Sequence, residues 1–585
     1  MKKFKEIRFQ GAPVSEGIAI GRPYFLRPLE EDVPDFEISL DEVDAEVDRY
    51  RSALFSSKED LNQLRQDLER EGSEEAMSTI ESHIQMLDDP LITKDIEGKI
   101  RQNLRNTESV FRSAIQDYET RFSERSDSFF HERLVDVKDV TKRILGHLRD
   151  KQDAQLSGIP ARSIVFACEI APSISASAHA AQVGAFVSKD GGGNSHAALI
   201  ARSKGIPYVS DIDTEEVEEM QAEVIIVDGY TGLLIADPSE ETLAKYQEKQ
   251  KHLATRYQFF LEQDHLPTKT KDGNKIKFFV NVGNPHDLDT FPYLHEGVGL
   301  FRTEYLILQT KEFFPTEEYQ QKAYRKLIEK MGSRPVVIRV FDLGGDKTPS
   351  LFFNRRTEPN PALGIRGIRF LLRNQQLFRV QLRAIFKAAI GGNVRILLPL
   401  ISDINEIFAA KEIIEEVREE LKKEDPKIPE LPIGCMIEVP SAVLICDAIA
   451  KNCDFISLGT NDLVQYTLGV DRNNPSMSEL YYPAHPSVIR LIKMICVGAK
   501  KQKTPLTVCG EIASNTLFTP LLLGLGIKEF SVAPRYLPYV KHAVRQWTSK
   551  ESLQLAKEIL ELVDPNEISK LLKEAQKKDF QLEGK

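Results

Sequence analysis

Cysteine is scarce in this 585-residue chain: there are six, with no C-x-x-C pair and no zinc-like spacing. That argues against a disulfide framework and a zinc site, and fits a reducing cytoplasm. No apolar stretch is long enough to span a bilayer. The basic N-terminus, MKKFKEIRFQ, has no apolar run behind it, so no secretory leader is expected. Positive charge is also short. Lys plus Arg number 77 against 88 Asp plus Glu, a formal net charge of −11. This argues against a nucleic-acid backbone as the main partner. It leaves small anions held in local basic pockets, or a basic protein partner. Solenoid repeats and low-complexity tracts are absent too.

What is present divides into stretches of different rhythm, as expected for a chain too long for one ordinary domain. Residues 9–25, FQGAPVSEGIAIGRPYF, read as glycine-punctuated strands. From Glu30 to Asp48 acids crowd the chain with no Lys or Arg. From Leu40 to about Arg149 apolar residues recur at three and four, and Pro90 is a lone proline in a DDP turn. This reads as a helical bundle inserted into something else. Strand-like runs resume in RSIVFACEIAP, GAFVSKDGGG, IPYVS and AEVIIVDGYTG. They predict a small α/β domain built from residues 1–30 and 150–238, interrupted by the insert at 31–149. Pro238–Glu241 starts a long polar helix that ends before Pro267, a connector over 239–267. From about Thr268 eight strand-like runs alternate with helical patterns: IKFFVNVG, GVGLFRTE, PVVIRVFDLGG, VRILLPLI, IGCMIEVP, FISLGTND, LTVCGEIA and EFSVAP. Eight such alternations over residues 268–585 predict a (β/α)₈ barrel, with a doubly wound open sheet as the alternative.

Barrel enzymes work at the C-terminal ends of their strands. Here those ends carry Arg302, Arg339, Glu438, Asn461 with Asp462, and Cys509, while Arg366 and Arg472 lie in connecting segments. A guanidinium fork grips phosphate or carboxylate through two bonds. Two carboxylates among several arginines suit a multiply charged anion if a hard cation such as Mg²⁺ lies between them. A rim thiol can then donate a proton. Taken singly, each residue has an ordinary reading: a surface ion pair, a helix start, a core cysteine. Their collection at one end of one barrel points to a site. Cys168, Cys435, Cys446, Cys453 and Cys496 read as core fillers.

The second constellation is GGGNSHAALIAR, Gly191–Arg202. Glycines let the backbone approach a ligand, and the sequence then turns helical. His196 therefore falls near a helix N-terminus, where free amides favour an anion. A neutral imidazole there can attack phosphorus.

These residues closely resemble enzyme I of the phosphoenolpyruvate:sugar phosphotransferase system, and the likeness runs in order along essentially the whole chain. DFISLGTNDLVQYTLGVDR, Asp454–Arg472, is similar to the family's barrel signature, as are EGVGLFRTE, NPALGIRGIR, IGCMIEVP and TVCGEIA. The resemblance implies that His196 is phosphorylated. It implies that Arg302 and Arg339 bind the substrate phosphate, with Arg366, Asn461, Asp462 and Arg472 completing the phosphoenolpyruvate site. Glu438 and Asp462 would bind Mg²⁺, and Cys509 would protonate the enolate to pyruvate. The helical insert would dock the carrier protein HPr, the barrel would form a homodimer, and the α/β domain would swivel between them. Pyruvate phosphate dikinase and phosphoenolpyruvate synthase carry similar domains but also need a large ATP-grasp region, for which this chain has no segment. Three positions depart from the family: Gly193, Asn194 where threonine is usual, and Ala171, where a threonine often touches the phosphohistidine. Asn194 keeps a hydrogen-bonding side chain and Ala171 does not, which implies slower transfer or a less stable phosphohistidine.

Overall fold

The computed structural model describes residues 6–26, 34–71, 74–88, 92–123, 128–148, 159–178, 182–191, 195–283, 288, 293–304, 306–307, 314–344, 360, 363–471, 477 and 480–577. The chain packs as two units, Met1–Arg256 and Tyr257–Lys585. Among the described residues no helix is long and apolar enough to cross a membrane.

The first unit begins with β1 (Ile7–Gln10), β2 (Ala12–Ser15), β3 (Ile18–Gly21) and β4 (Pro23–Phe25). Five helices follow: α1 (Val43–Glu71), α2 (Glu74–Met86), α3 (Lys94–Asn103), α4 (Thr107–Ser123) and α5 (Ser128–Leu148). The chain then returns to β5 (Ser163–Ala167), α6 (Pro172–Ser177), β6 (Val183–Ser188), α7 (His196–Ser203), β7 (Tyr208–Ser210), α8 (Thr214–Glu219), β8 (Ile225–Asp228) and β9 (Leu233–Ala236). The long helix α9 (Glu240–Glu262) leads into the second unit.

These strands form two sheets, β2-β7-β6-β5-β4 and β1-β9-β8-β3. Strand β5 shows why they stack. All five of its residues are buried, and alternate side chains enter different cores. Val165 and Ala167 join the core that contains Ala197, Ala198 and Ala201 of α7. Ile164 and Phe166 join Val227 and Leu234 of the second sheet. A strand covered on both faces needs apolar residues at every position, and SIVFA supplies nearly that.

The inserted bundle buries Val47, Tyr50, Leu61, Ile80, Phe111 and Ile144, and the same core takes in Ala176 of α6 and Ile200 of α7. Helix α7 is thus gripped from two sides. A buried carboxylate ties the junction: Asp139 of α5 accepts from the backbone N–H of Ser173 at 2.9 Å and from its hydroxyl at 2.7 Å.

The second unit is a closed barrel of eight strands, β10 (Lys277–Val282), β11 (Val298–Arg302), β12 (Val336–Arg339), β13 (Val394–Leu398), β14 (Ile433–Ile437), β15 (Phe455–Gly459), β16 (Leu506–Cys509) and β17 (Glu529–Val532). Each of the eight sequence runs contains one of them. Every neighbouring pair is parallel, including β10 with β17, which closes the ring. The open-sheet alternative is therefore excluded. The period of two sorts the side chains. Leu300, Val337, Leu397, Met436, Phe455 and Cys509 pack together as one set. Their neighbours Phe301, Ile338, Ile396, Leu398, Ile437, Ile456, Leu458 and Val508 belong to the much larger core outside.

The opposite end of the barrel holds a tight charged cluster. Lys541 is 3% exposed and bonds Asp264 at 2.6 Å as well as the carbonyl of Leu294. Next to it, His295 donates from Nδ1 to the carbonyl of Gly297 at 3.0 Å. Burial, then the charge of Arg334, depress its pKa from 6.5 to about 4. The folded protein therefore resists a proton that the unfolded chain accepts below pH 6.5. The resulting stability is fully present above pH 6.5 and is lost as pH falls toward 4. A tenfold difference in proton affinity between the folded and unfolded chain is worth about 1.4 kcal/mol. His295→Gln is expected to flatten the stability curve between pH 4 and 6.5, measured by urea unfolding at stepped pH. An unchanged slope in the variant would assign that loss to other groups.

Candidate active site

The barrel ends set the candidate residues by chain geometry alone. Arg302 and Arg339 are the last residues of β11 and β12, and Cys509 is the last of β16. Glu438 directly follows β14. Gly459 ends β15 and caps the helix Thr460–Leu468, so Asn461 and Asp462 fall in its first turn, where the helix dipole favours a carboxylate. Arg366 pairs with Gly344 in an isolated β-bridge, which anchors the segment carrying it. Arg472 lies outside the described residues.

Arg366 is only 1% exposed, a burial that a guanidinium tolerates only with full pairing. Its Nε and Nη2 fork onto the two oxygens of Asp342 at 3.1 and 3.0 Å. Nη2 also reaches Asp462 Oδ2 at 2.7 Å, and Nη1 donates to the Tyr466 hydroxyl at 3.2 Å. Asp342 is fully buried and lies 3.5 Å from Nη1 of Arg339. Arg339 is 7% exposed, and its Nη2 donates to Glu304 at 2.9 Å. Glu304 also accepts from the backbone N–H of Asp342 at 2.7 Å. Arg339 Nε is buried without a hydrogen-bond partner among the described residues. The two arginines are thus threaded through three carboxylates, Glu304, Asp342 and Asp462.

Glu438 is 2% exposed. One oxygen accepts from the backbone N–H of Leu400 at 2.7 Å. Leu400 adopts φ +52°, uncommon for leucine, in the turn that presents this N–H. The other oxygen faces Gly459, where a Cβ would come within 2.5 Å of it. Burial, then the charges of Asp462 and Asp342, push the Glu438 carboxyl up to about 7, against the pull of Arg339 and Arg366. A carboxylate held this way is poised to gain from a cation. Among the described residues no group of three or more His, Cys, Asp or Glu side chains is arranged to hold a metal. Two carboxylates with hard oxygen donors nonetheless fit Mg²⁺, which takes few protein ligands and completes its shell with substrate and water.

Asn461 is pinned on both amide atoms. Nδ2 donates to Glu511 at 3.0 Å, and Oδ1 accepts from the Glu511 N–H at 2.8 Å. Gly510 makes this possible: at φ +89°, a Cβ there would strike Thr460 and Asn461. Cys509 is 1% exposed. Its Sγ is 3.2 Å from Ser457 Oγ and 3.2 Å from the carbonyl of Leu458. Burial pushes the thiol up to about 11, with the Ser457 bond working against that rise.

In the first unit, His196 is the first residue of α7, and Ser195 is the N-cap, accepting from the Ala198 N–H at 3.2 Å. The expectation of a helix N-terminus at this residue holds. Its imidazole, Gly193 and Asn194 lie outside what is described. Ala171 is buried at the N-cap of α6 and offers only its carbonyl, to Ile174 and Ser175. One reading needs correction. Cys168 is exposed, not a core filler, because it stands one residue beyond β5, where the chain has left the sheet. Cys453 is half-buried, its Sγ 2.9 Å from that of buried Cys435. The motifs pointed to the arginines but not to their counter-charges, Glu304 and Asp342. An acid two or three residues past each strand-end arginine was the available signal.

Three family descriptions match the chain: PEP-utilising enzyme, N-terminal, over residues 10–133; PEP-utilising enzyme, mobile domain, over 159–232; and PEP-utilising enzyme, PEP-binding domain, over 260–549. The phosphoenolpyruvate-protein phosphotransferase of Listeria monocytogenes is 35% identical over 572 residues, covering 97% of this chain and 99% of its own. Those of Priestia megaterium and Bacillus subtilis are 35% and 34% identical, each again covering 97% of this chain and 99% of its own.

The Asp342–Arg366–Asp462 chain sets a stability test. Removing one partner of a buried ion pair costs about 3–5 kcal/mol because the other charge stays buried. Arg366→Ala is expected to destabilise the barrel unit by that order. Arg366→Lys is expected to cost less, since it keeps the charge but loses the fork. Urea unfolding followed by Trp547 fluorescence measures both. An Ala variant within about 1 kcal/mol of the parent protein would refute the role given to this network.

Proposed function

The chain belongs to the phosphoenolpyruvate-protein phosphotransferases, and from that premise we propose that it phosphorylates itself on His196 from phosphoenolpyruvate. It then releases pyruvate and passes the phosphoryl group to a histidine of the carrier protein HPr. The observation that carries this reading is the gathering of Arg302, Arg339, Glu438, Asp462 and Cys509 at one barrel mouth, in a chain whose helix α7 opens on His196.

Arg302 and Arg339 hold the phosphate oxygens. Arg366 and Arg472 balance the remaining charge of the substrate, and Asn461, pinned by Glu511, orients it. Phosphoryl transfer requires little beyond alignment and charge neutralisation, and guanidinium forks held in place by buried acids supply both. Glu438 and Asp462 would hold Mg²⁺, which when bound neutralises phosphate charge further. His196 attacks phosphorus in line, and the bridging oxygen leaves with its electrons as the enolate of pyruvate. Cys509 protonates the enolate carbon, which withdraws the product from the reverse reaction. Its depressed acidity suits this role, since a thiol titrating near 11 keeps its proton at neutral pH until the enolate takes it.

Because His196 and the anion site belong to different units, the transfer needs the 1–30/150–238 domain to reach the barrel and then the carrier. Helices α1–α5 are the docking surface for HPr, and their acidic lead-in suits a basic partner. A homodimer through the barrel at 268–585 and a cytoplasmic setting complete the proposal.

Incubation with ³²P-labelled phosphoenolpyruvate and Mg²⁺ is expected to give an acid-labile, base-stable phosphoprotein that discharges to HPr. His196→Ala should take no label, and full labelling of that variant would sink the assignment. Cys509→Ala should slow pyruvate formation by roughly 10²–10⁴-fold, the usual worth of a general acid, with little change in substrate binding.

A further inference from the structure

Cys509 is surrounded mainly by hydrocarbon: it packs in the barrel interior with Leu300, Val337, Leu397, Met436 and Phe455. Such surroundings oppose a charged sulfur. Yet a thiol that gives up a proton to an enolate carbon must pass through the thiolate. The C–H bond forms from the enolate electron pair, the S–H bond breaks, and its electrons stay on sulfur until water returns a proton. Something must stabilise that charge where it stands. The charged groups that bear on Cys509 from other strand ends of the barrel are Glu438, which opposes thiolate formation, and Arg339 and Arg302, which favour it.

Two partners touch the sulfur directly. The carbonyl of Leu458, 3.2 Å away, can only accept, so it takes the thiol proton. With the S–H so directed, the Ser457 hydroxyl at 3.2 Å is left to donate to sulfur. Ser457 is 2% exposed and sits on β15 beside β16, two residues before Gly459, which pairs with Cys509. We infer that Ser457 is the positioning residue of the proton-transfer step: its hydroxyl aims the Cys509 thiol and, by donating a hydrogen bond, stabilises the charge left on sulfur when the proton leaves. The inference rests on the reading of Cys509 as the proton donor. A serine that merely satisfied itself in a barrel core would have no bearing on the proton.

The test uses the full-length protein with Mg²⁺. Forward turnover is followed as pyruvate release from phosphoenolpyruvate. The reverse proton step is followed as deuterium entry into the methyl group of pyruvate in D₂O, which requires the thiolate. Ser457→Ala is expected to lower both rates by about 10-fold, equivalent to one pKa unit, while the KM for phosphoenolpyruvate stays within about two-fold. Because the lost donor had favoured the thiolate, the pH at which exchange rises should move upward in this variant. Ser457→Thr, which restores a hydroxyl, should recover to within about three-fold of the parent rate. Ala and Thr variants that are equally slow would remove the hydroxyl from the mechanism. Normal exchange in Ser457→Ala, with Cys509→Ala inactive in exchange, would overturn this inference alone. Normal exchange in Cys509→Ala would overturn the parent reading, and this one with it.

Discussion

The buried guanidinium of Arg366 is the link on which the described part of the barrel mouth depends. Its fork on Asp342 and its further bond to Asp462 join the segment after β12 to the helix after β15. Asp342 in turn leans on Arg339, and Glu304 holds both Arg339 and the Asp342 backbone. In a dry site a charge must be paired or neutralised. Each member is thus held by the need to keep the others satisfied, and the result is a set of guanidinium groups with little freedom left. That is preorganisation in the sense useful to an anion: orientation is settled before the substrate arrives.

The same scarcity of water shapes the two titratable groups beside it. Glu438 lies next to more negative charge than its arginines offset, and it rises toward neutrality. Cys509 lies among apolar side chains, and its thiol is pushed up as well. One group is left receptive to a cation and the other retentive of a proton. Both effects have burial as the leading cause, but they serve opposite ends of the proposed substrate, phosphate and methylene carbon.

The first unit solves a different problem. Helix α7 has only eight residues, too short to stand alone in water. It is stabilised by packing: its alanines lie on the core under the sheet, while Ile200 faces into the helical bundle. A shift of the bundle is therefore felt at the helix that begins with His196. The Asp139 bonds to Ser173 fasten the neighbouring helix α6 to α5 in the same manner.

Much of this was legible in the residue string. The eight barrel strands appear as short β-branched runs, because a strand covered on both faces leaves little choice of composition. The helical insert shows in its three-and-four spacing, and His196 at a helix start shows in GGGNSH followed by small apolar residues. Arg302, Arg339, Glu438, Asp462 and Cys509 could be grouped from the sequence because all fall at or just beyond the C-terminal ends of barrel strands. Pairing could not be read. Nothing in the string says that Arg366 spends its fork on Asp342, that Ser457 lies against Cys509, or that Cys168 is exposed while Cys435 is buried. Local propensity and period act over a few residues and are written in sequence order. The partners of a buried charge are separated by 24 residues in one direction and 96 in the other. Only closure of the ring brings them within hydrogen-bond distance, and only there does the loss of water make their pairing compulsory.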